Sequence, residues 1–282
     1  MLLFYLIIII NLNILIASKN NEKYKNIKLY YLNEITIKIR GGEIQNILNS
    51  NYEYLPTEVL VNGQNTFIEN GNKVSNLQEG ENTIIMKWNY TIKDCEDMFY
   101  TLTNLIEVDL SNFDASELTS MIFMFYGCTN LTSINLNNLN TSKLNNMKMI
   151  FSECSSLLYL DLSSLDTSFV TSMSSMFLNC ISLKTVIFGK NFKTSNVITL
   201  EFLFSYCNSL ESIDLSNFDT SSVTIMSQMF AECTSLTSLD LSNFRTNSLE
   251  FAPRMFEGCV NLKYLDISNF NTSKVTRMIK NF

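Results

Sequence analysis

The sequence predicts a mainly β protein, a parallel β solenoid with short turns of 3-10 or helical character, preceded by a small β-rich N-terminal capping domain. The strongest observation is an internal repeat, because the chain aligns with itself at a spacing of 26 residues in five of six intervals and 27 in the other. Each copy opens with alternating apolar and polar residues, as a short half-buried strand does. The composition favours strands, since Asn, Ser, Thr, Ile and Phe are common and glycine (8) and proline (2) are scarce. The copies begin at Leu105, Leu131, Leu157, Leu183, Leu210, Leu236 and Leu262.

Each copy is too small to bury its own apolar side chains, so neighbouring copies must stack, strand on strand. In the copy that begins at Leu210, we expect Ile213, Leu215, Phe218 and Val223 to point inward. Two of these columns stay apolar in every copy. The first contains Phe113, Leu139, Leu165, Phe192, Phe218, Phe244 and Phe270, and the second contains Leu118, Leu144, Val170, Val197, Val223, Leu249 and Val275.

The repeated pattern LxxLDLSNFDTSxVTxMxxMFxxCxxL resembles the BspA-like leucine-rich repeats of bacterial and protist surface proteins. The resemblance covers about two thirds of the chain and implies a leucine-rich-repeat solenoid. It also implies a cell-surface protein for adhesion or for protein or matrix binding. The copies depart from the pattern at Lys193 and Arg245 in the corner Asp position, at Ile187 in the strand Asp position, and at Pro253.

Three segments follow from this pattern: 1–18, 19–92 and 93–282. The first is apolar and is then followed by polar residues, which predicts a secretory signal peptide, with an uncleaved anchor as the alternative. The second lacks the repeat, and its alternating runs predict a small β-rich cap for the open end of the solenoid. The third contains about seven repeats. The last repeat stops halfway through its turn at Phe282, which predicts a C-terminally truncated solenoid within a longer protein that carries any membrane anchor.

A less perfect copy precedes Leu105. The residues Cys95 to Phe99 follow the usual ending of a repeat, and we expect its strand at Thr83 to Trp88. Within the cap, alternation also predicts strands at 34–40 and 58–61, followed by a turn at Asn62 and Gly63.

The cysteines form a second marker of the repeat. Six of the seven fall in one column, in which the preceding copy has Leu102, so the position is apolar. They are either buried free thiols that act as small apolar side chains or disulfide-bonded pairs of a secreted protein. Cys95 lies outside the column and is expected to be exposed or without a partner. The column contains Cys128, Cys154, Cys180, Cys207, Cys233 and Cys259.

Composition makes catalysis improbable. The chain has no histidine, which removes the commonest general base and metal ligand, and no cofactor, metal or catalytic residue is predicted. A formal charge of -7 argues against binding nucleic acid.

The outward side of the predicted strands is the candidate binding face, because solenoids commonly bind through such a surface. Stacked carboxylates there indicate either a strip that attracts cations or basic groups, or carboxylates solvated by the flanking serines. Exposed tyrosine is favoured at interfaces. The candidate residues are Glu107, Asp109, Tyr159, Asp161, Asp214, Asp240, Tyr264 and Asp266.

Four Asn-x-Ser/Thr sequences are possible glycosylation sites, provided that the protein passes through a eukaryotic secretory pathway. They are Asn89, Asn130, Asn140 and Asn271.

The function predicted from these features is that of a non-enzymatic, secreted or cell-surface protein that binds an extracellular protein, matrix or glycan ligand through the strand face. The alternative is a structural coat protein whose solenoids associate with one another. The oligomeric state is left open.

Overall fold

The computed structural model describes residues 33–279, so the predicted signal peptide at 1–18 and Phe282 lie outside the described residues. The described chain consists of strands, turns and bends, and none of residues 33–279 is helical. The mainly β fold class predicted from the sequence is therefore confirmed.

The N-terminal part of the described chain forms a sheet that continues into the first repeats. Its six strands lie in the order β4-β3-β6-β1-β7-β8. Alternation explains the strands, because Ile35, Ile37 and Ile39 are fully buried on one side of β1. The strands are β1 (Asn33–Arg40), β3 (Glu58–Val61), β4 (Gln64–Thr66), β6 (Glu81–Trp88), β7 (Leu105–Asp109) and β8 (Ser133–Asn135), with β2 (Glu43–Asn46) and β5 (Lys73–Leu77) forming a separate antiparallel pair.

The order of these strands corrects one prediction. We expected Thr83–Trp88 to be the strand of the copy that precedes β7, but β1 lies between β6 and β7 and pairs antiparallel with both. The cap thus places an antiparallel strand where another coil would stack. The end of the imperfect copy does follow the repeat, since Asp94 bridges in parallel to Ser120.

From Leu105 onward the chain forms stacked coils, which we number 1 to 7 from the seven leucines that begin the repeats. Equivalent residues lie opposite each other in parallel pairs, for example Val108 and Ile134 or Leu239 and Leu265. The remaining strands are β9 (Tyr159–Asp161), β10 (Thr185–Ile187), β11 (Ser238–Asp240) and β12 (Tyr264–Asp266). A column of single parallel bridges on another side of the coils connects Asp94, Ser120, Asn146, Ser172, Thr199, Ile225, Phe251 and Arg277.

The turn that closes each coil is not the 3-10 or helical segment that we expected. In coil 1, the N–H groups of Met121, Phe123 and Phe125 donate to carbonyl oxygens of the next coil at 3.0–3.2 Å. The N–H groups of Met124 and Tyr126, in contrast, bond three residues back within the coil. A 3-10 helix would direct every N–H back along its own segment. The turn therefore adds a continuous ladder between coils, and this ladder replaces helical structure.

Left-handed backbone makes this alternation possible. Two positions in every turn have φ between 54° and 76°, and glycine fills only two of the fourteen places. Asparagine apart, side chains here carry a conformational cost of about 1–2 kcal/mol each, so the ladder must offset it. The positions are Asp97, Thr101, Phe123, Gly127, Met149, Glu153, Ser175, Asn179, Phe202, Tyr206, Gln228, Glu232, Arg254 and Gly258.

The core consists of columns of equivalent side chains. Both apolar columns predicted from the sequence are buried in coils 1 to 6 and half-buried in coil 7. A third column contains a phenylalanine ring from the imperfect copy and from each of coils 1 to 6, and consecutive rings lie 5.3–6.0 Å apart between centroids and within 6–13° of parallel. The rings belong to Phe99, Phe125, Phe151, Phe177, Phe204, Phe230 and Phe256.

Buried threonines connect the coils at the corner. The Thr220 hydroxyl donates to the Arg245 carbonyl oxygen at 3.2 Å and accepts from the Arg245 N–H at 2.8 Å. The cap continues this ladder, because the Asn33 side chain accepts from the Asp114 N–H at 2.7 Å. Five threonines make the double contact and are at most 1% exposed, namely Thr141, Thr167, Thr194, Thr220 and Thr246.

We predict that Phe177→Ala lowers the free energy of unfolding by about 3–5 kcal/mol, because it removes a fully buried ring and leaves a cavity between two neighbours. Denaturant titration followed by circular dichroism measures the change. Phe169→Ala is the matched control in the same coil, since that ring is 64% exposed and its loss should change stability by about 0.5 kcal/mol or less. Equal losses in the two variants would contradict the role of the stack.

We predict that Thr220→Val lowers the free energy of unfolding by about 1–3 kcal/mol, because a side chain of equal shape leaves the part-buried Arg245 N–H without its partner. The same titration measures the change. Thr185→Val on the exposed side of β10 is the control and should be close to neutral. A neutral Thr220→Val would show that the corner hydroxyl contributes nothing.

Candidate interaction face

The strand face consists of the outward side chains at the start of each coil. Its strands pair as β7–β8, β9–β10 and β11–β12, and residues 212–214 of coil 5 form no strand. The face that sequence analysis singled out is therefore a series of paired segments. The uninterrupted ladder is the column of parallel bridges in the turns, from Asp94 to Arg277. Apolar residues do not alternate with polar ones there, so the sequence pattern does not reveal this ladder.

The aspartates of the strand face cap the turns that follow their strands. The Asp214 carboxylate accepts the Ser216 backbone N–H at 2.9 Å, and Asp161 accepts that of Ser163 at 2.8 Å. The backbone N–H groups of the serines, rather than their hydroxyls alone, therefore solvate the carboxylates. The same contact occurs at Asp109, Asp240 and Asp266.

These hydrogen bonds favour the ionised carboxylate. The Ser216 backbone and hydroxyl lower the pKa of Asp214, and the hydroxyl and backbone of Ser268 lower the pKa of Asp266. The described residues contain no group of three or more Cys, Asp or Glu side chains that could hold a metal ion. The geometry thus favours the solvated-carboxylate interpretation over a cation strip.

The first coil is joined to the cap by charge. Glu107 forms an ion pair with Lys38 of β1 at 2.7 Å, and this contact raises the pKa of the lysine. Asp109 also accepts a hydrogen bond from the Asn135 side chain at 3.0 Å. Both carboxylates predicted for the N-terminal end of the face are therefore engaged within the protein.

The two candidate tyrosines are both half exposed but differ in their surroundings. Tyr264 lies 3.5 Å from an oxygen of Asp266, whose charge raises the pKa of its phenol. Tyr159 lies beside Thr185 in the β9–β10 register and is 49% exposed. It is also next in sequence to Leu158, which is 51% exposed.

Leu158, Tyr159 and Ile187 form what we call the β9–β10 patch. Ile187 lies opposite Asp161 in the register and is 40% exposed, so an apolar side chain interrupts the outward aspartate column at this point. Lys184 and Asp161 provide the polar surroundings. The sequence predicts Tyr159 as a contact residue, whereas Ile187 stands out only as a departure from the repeat. That departure is the signal for the patch.

The asparagines of the four glycosylation sequences are all exposed. The Asn130 amide donates to the Thr103 carbonyl oxygen at 2.7 Å, and Asn271 accepts the Ser273 N–H at 2.9 Å. Asn140 and Asn89 also make side-chain hydrogen bonds. Glycosylation at these sites stays a prediction.

The column cysteines are free thiols. Each donates to the carbonyl oxygen of a phenylalanine in the preceding coil, for example Cys180 to Phe151 at 3.0 Å. Burial raises the pKa of Cys180 and Cys128 to about 12 and that of Cys259 to about 11. The thiolate form needed for nucleophilic chemistry is thereby suppressed.

Cys95 meets one of the two alternatives expected for it. It is a free thiol without a disulfide partner. Its side chain is fully buried rather than exposed, and burial raises its pKa. The cap thus covers the thiol that the repeat pattern left unaccounted for.

Comparison with known sequences and structures identifies the family. The profile of the family described as "Mycoplasma protein of unknown function, DUF285" matches residues 69–190 and 187–282, well over half of the chain. The protein belongs to this family of repeat proteins. No curated protein sequence matches the chain.

One solved structure is weakly similar, entitled "Crystal structure of TLR13-ssRNA13 complex". It shares 21% sequence identity over 62% of this chain, with a TM-score of 0.35. The matched region spans 23% of that protein. Among residues 33–279 there is no helix long and apolar enough to cross a membrane.

We predict that Asp214→Asn removes a pH-dependent part of the stability. The folded pKa of Asp214 is lowered from 3.8, so its contribution is present above about pH 4 and is lost as the pH falls through the lower folded value. Asparagine keeps the acceptor oxygen, as Asn135 does in coil 2 with the Asn137 N–H. Melting temperatures should be higher in the wild type at pH 7 and converge as the pH falls through the lowered folded pKa of Asp214. A difference that does not change with pH would contradict the capping role.

Proposed function

We propose that the protein is a secreted or surface-displayed, non-catalytic recognition protein that binds an extracellular protein or matrix component through its strand face. The observation that carries this proposal is the β9–β10 patch. Single exposed apolar side chains are ordinary on protein surfaces, but two on one strand pair, with Leu158 directly before the first strand, form a candidate anchor. A polar rim around an apolar or aromatic anchor is typical of protein interfaces.

The aspartate column supports an anchor at the patch rather than along the whole face. Five carboxylates of the column accept turn N–H groups, and covering them would remove water from charges that already have their partners. In contrast, covering Leu158, Tyr159 and Ile187 removes apolar surface from water, at about 25 cal/mol per Å². The free energy of binding should therefore come mainly from coils 3 and 4.

The resemblance to BspA-like repeats and the predicted signal peptide support an extracellular location. Burial raises the pKa values of Cys154 and Cys207 well above the usual range, so these thiols stay protonated and unreactive. The free thiols are therefore compatible with an oxidising environment. A glycan ligand is the other candidate of the same kind. The test below separates the patch from the rest of the face whichever ligand is bound.

We predict that Tyr159→Ala lowers retention of the secreted chain on cell monolayers and on plates coated with fibronectin, laminin or collagen by at least about 10-fold, the effect of losing a hot-spot side chain. Tyr264→Ala is the matched control, since that tyrosine is equally exposed at 54% but lies outside the patch. Asp240→Ala tests the aspartate column, and both controls should change retention by less than about 3-fold. Equal retention of all three variants and the wild type would remove the strand face as the binding site.

A further inference from the structure

The six-stranded sheet has an open edge at β4. This strand pairs antiparallel with β3, with Leu60 opposite Asn65, and no strand within residues 33–279 lies on its other side. Natural edge strands are protected by a charge, a proline, a bulge or a very short length. The sequence of β4, Gln-Asn-Thr at 64–66, contains no charge and no proline, so its length of three residues is the protection that it has.

An exposed ring follows directly after this edge. Phe67 is 92% exposed, which leaves more of its surface in water than any other large apolar side chain within residues 33–279. Such exposure is costly, because burying a phenylalanine side chain contributes roughly 1.5–3 kcal/mol. A single exposed ring is ordinary by itself, but here an open strand edge and a groove adjoin it.

Beside the ring lies a groove that can accept one. It has a volume of about 430 Å³, and Leu55, Val59 and Ile68 line it together with Phe67 itself. Glu58 also lies on the wall, where it forms an ion pair with Lys87 at 3.1 Å. The Lys87 ammonium group thus compensates the charge of the Glu58 carboxylate. The surface around the groove can therefore face a copy of itself, although the chain as a whole has a charge of -7.

We propose that a second copy of this chain docks on β4. The two β4 strands pair antiparallel about a two-fold axis, and Phe67 of each copy enters the groove of the other. The surface is self-complementary, because the projecting ring, the receiving groove and the open strand edge all lie on one short segment. A strand from another protein could satisfy the edge alone, but it would need an aromatic ring at the matching offset to fill the groove as well.

This interface leaves the β9–β10 patch uncovered, since that patch lies on the outward side of coils 3 and 4 and β4 lies at the edge of the cap sheet. A dimer therefore presents two strand faces. Two-point attachment to a surface increases overall avidity by about 10²–10⁴ when the spacing permits both contacts. The inference concerns assembly and holds whether or not the strand face binds the proposed ligand.

Sedimentation equilibrium of the purified chain between 1 and 100 μM tests the dimer. We expect the wild type to approach twice the 32.3 kDa mass of one chain, and Phe67→Ser to stay monomeric. Phe169→Ser is the matched control, because this phenylalanine is also mostly exposed and lies on the solenoid, and it should dimerise like the wild type. At a concentration low enough to keep all three proteins monomeric, circular dichroism should show the same melting temperature for each.

A second variant tests the strand pairing. A single cysteine at Thr66→Cys, beside the proposed axis, should form a disulfide-linked dimer in air, because the native thiols are buried or half-buried and do not compete. Ser221→Cys on the exposed corner of coil 5 should not cross-link. A wild type that is monomeric at 100 μM, or a dimer that Phe67→Ser leaves intact, would overturn the proposal. A monomer that instead recruits a strand from another protein to β4 would also overturn it.

Discussion

Parallel stacking of one phenylalanine ring per coil is the interaction on which the rest of the solenoid depends. Strands in a sheet lie about 4.8 Å apart, and ring centroids at 5.3–6.0 Å fit this rise when the rings are slightly offset. The rings therefore fix both the rise and the rotational alignment of successive coils. The threonine hydroxyls at the corner of coils 2 to 6 then donate to backbone oxygens at 2.7–3.2 Å, and the column cysteine thiols do so at 3.0–3.2 Å.

The repeat, its apolar columns and the mainly β class could be predicted because they depend on spacing and polarity, both of which are visible in one sequence. The location of the continuous ladder could not. It runs through turns in which Phe123, Met149 and Phe202 have left-handed backbone, whereas sequence rules associate that backbone with glycine or asparagine. These residues adopt it because alternate N–H groups must point to the next coil, a requirement of the stack rather than of the local sequence.

The junction with the cap shows the same limit. Alternation at 83–88 correctly indicates a strand, but alternation says nothing about which strand lies beside it. The identity of the neighbour depends on β1, whose fully buried Asn33 supplies to Asp114 the hydrogen bond that a threonine of an earlier coil would have supplied. In the sequence, this contact is signalled by Asn33, a polar residue at the start of an apolar strand. The signal can be interpreted only when the position of the first coil is known.

The strand face shows how a repeat separates structural from variable positions. Each aspartate of the strand face accepts a backbone N–H of the turn that follows it. Its recurrence is therefore explained by folding and carries little information about a ligand. Variation is tolerated at the two positions that precede the buried strand residue, where Leu158 and Tyr159 lie, because their side chains accept no turn N–H. Where the aspartate itself is replaced, as at Ile187, the coil gives up a cap and gains exposed apolar surface. This loss of a stabilising contact without a gain in core packing is the local departure from the repeat on which the proposed binding site in coils 3 and 4 rests.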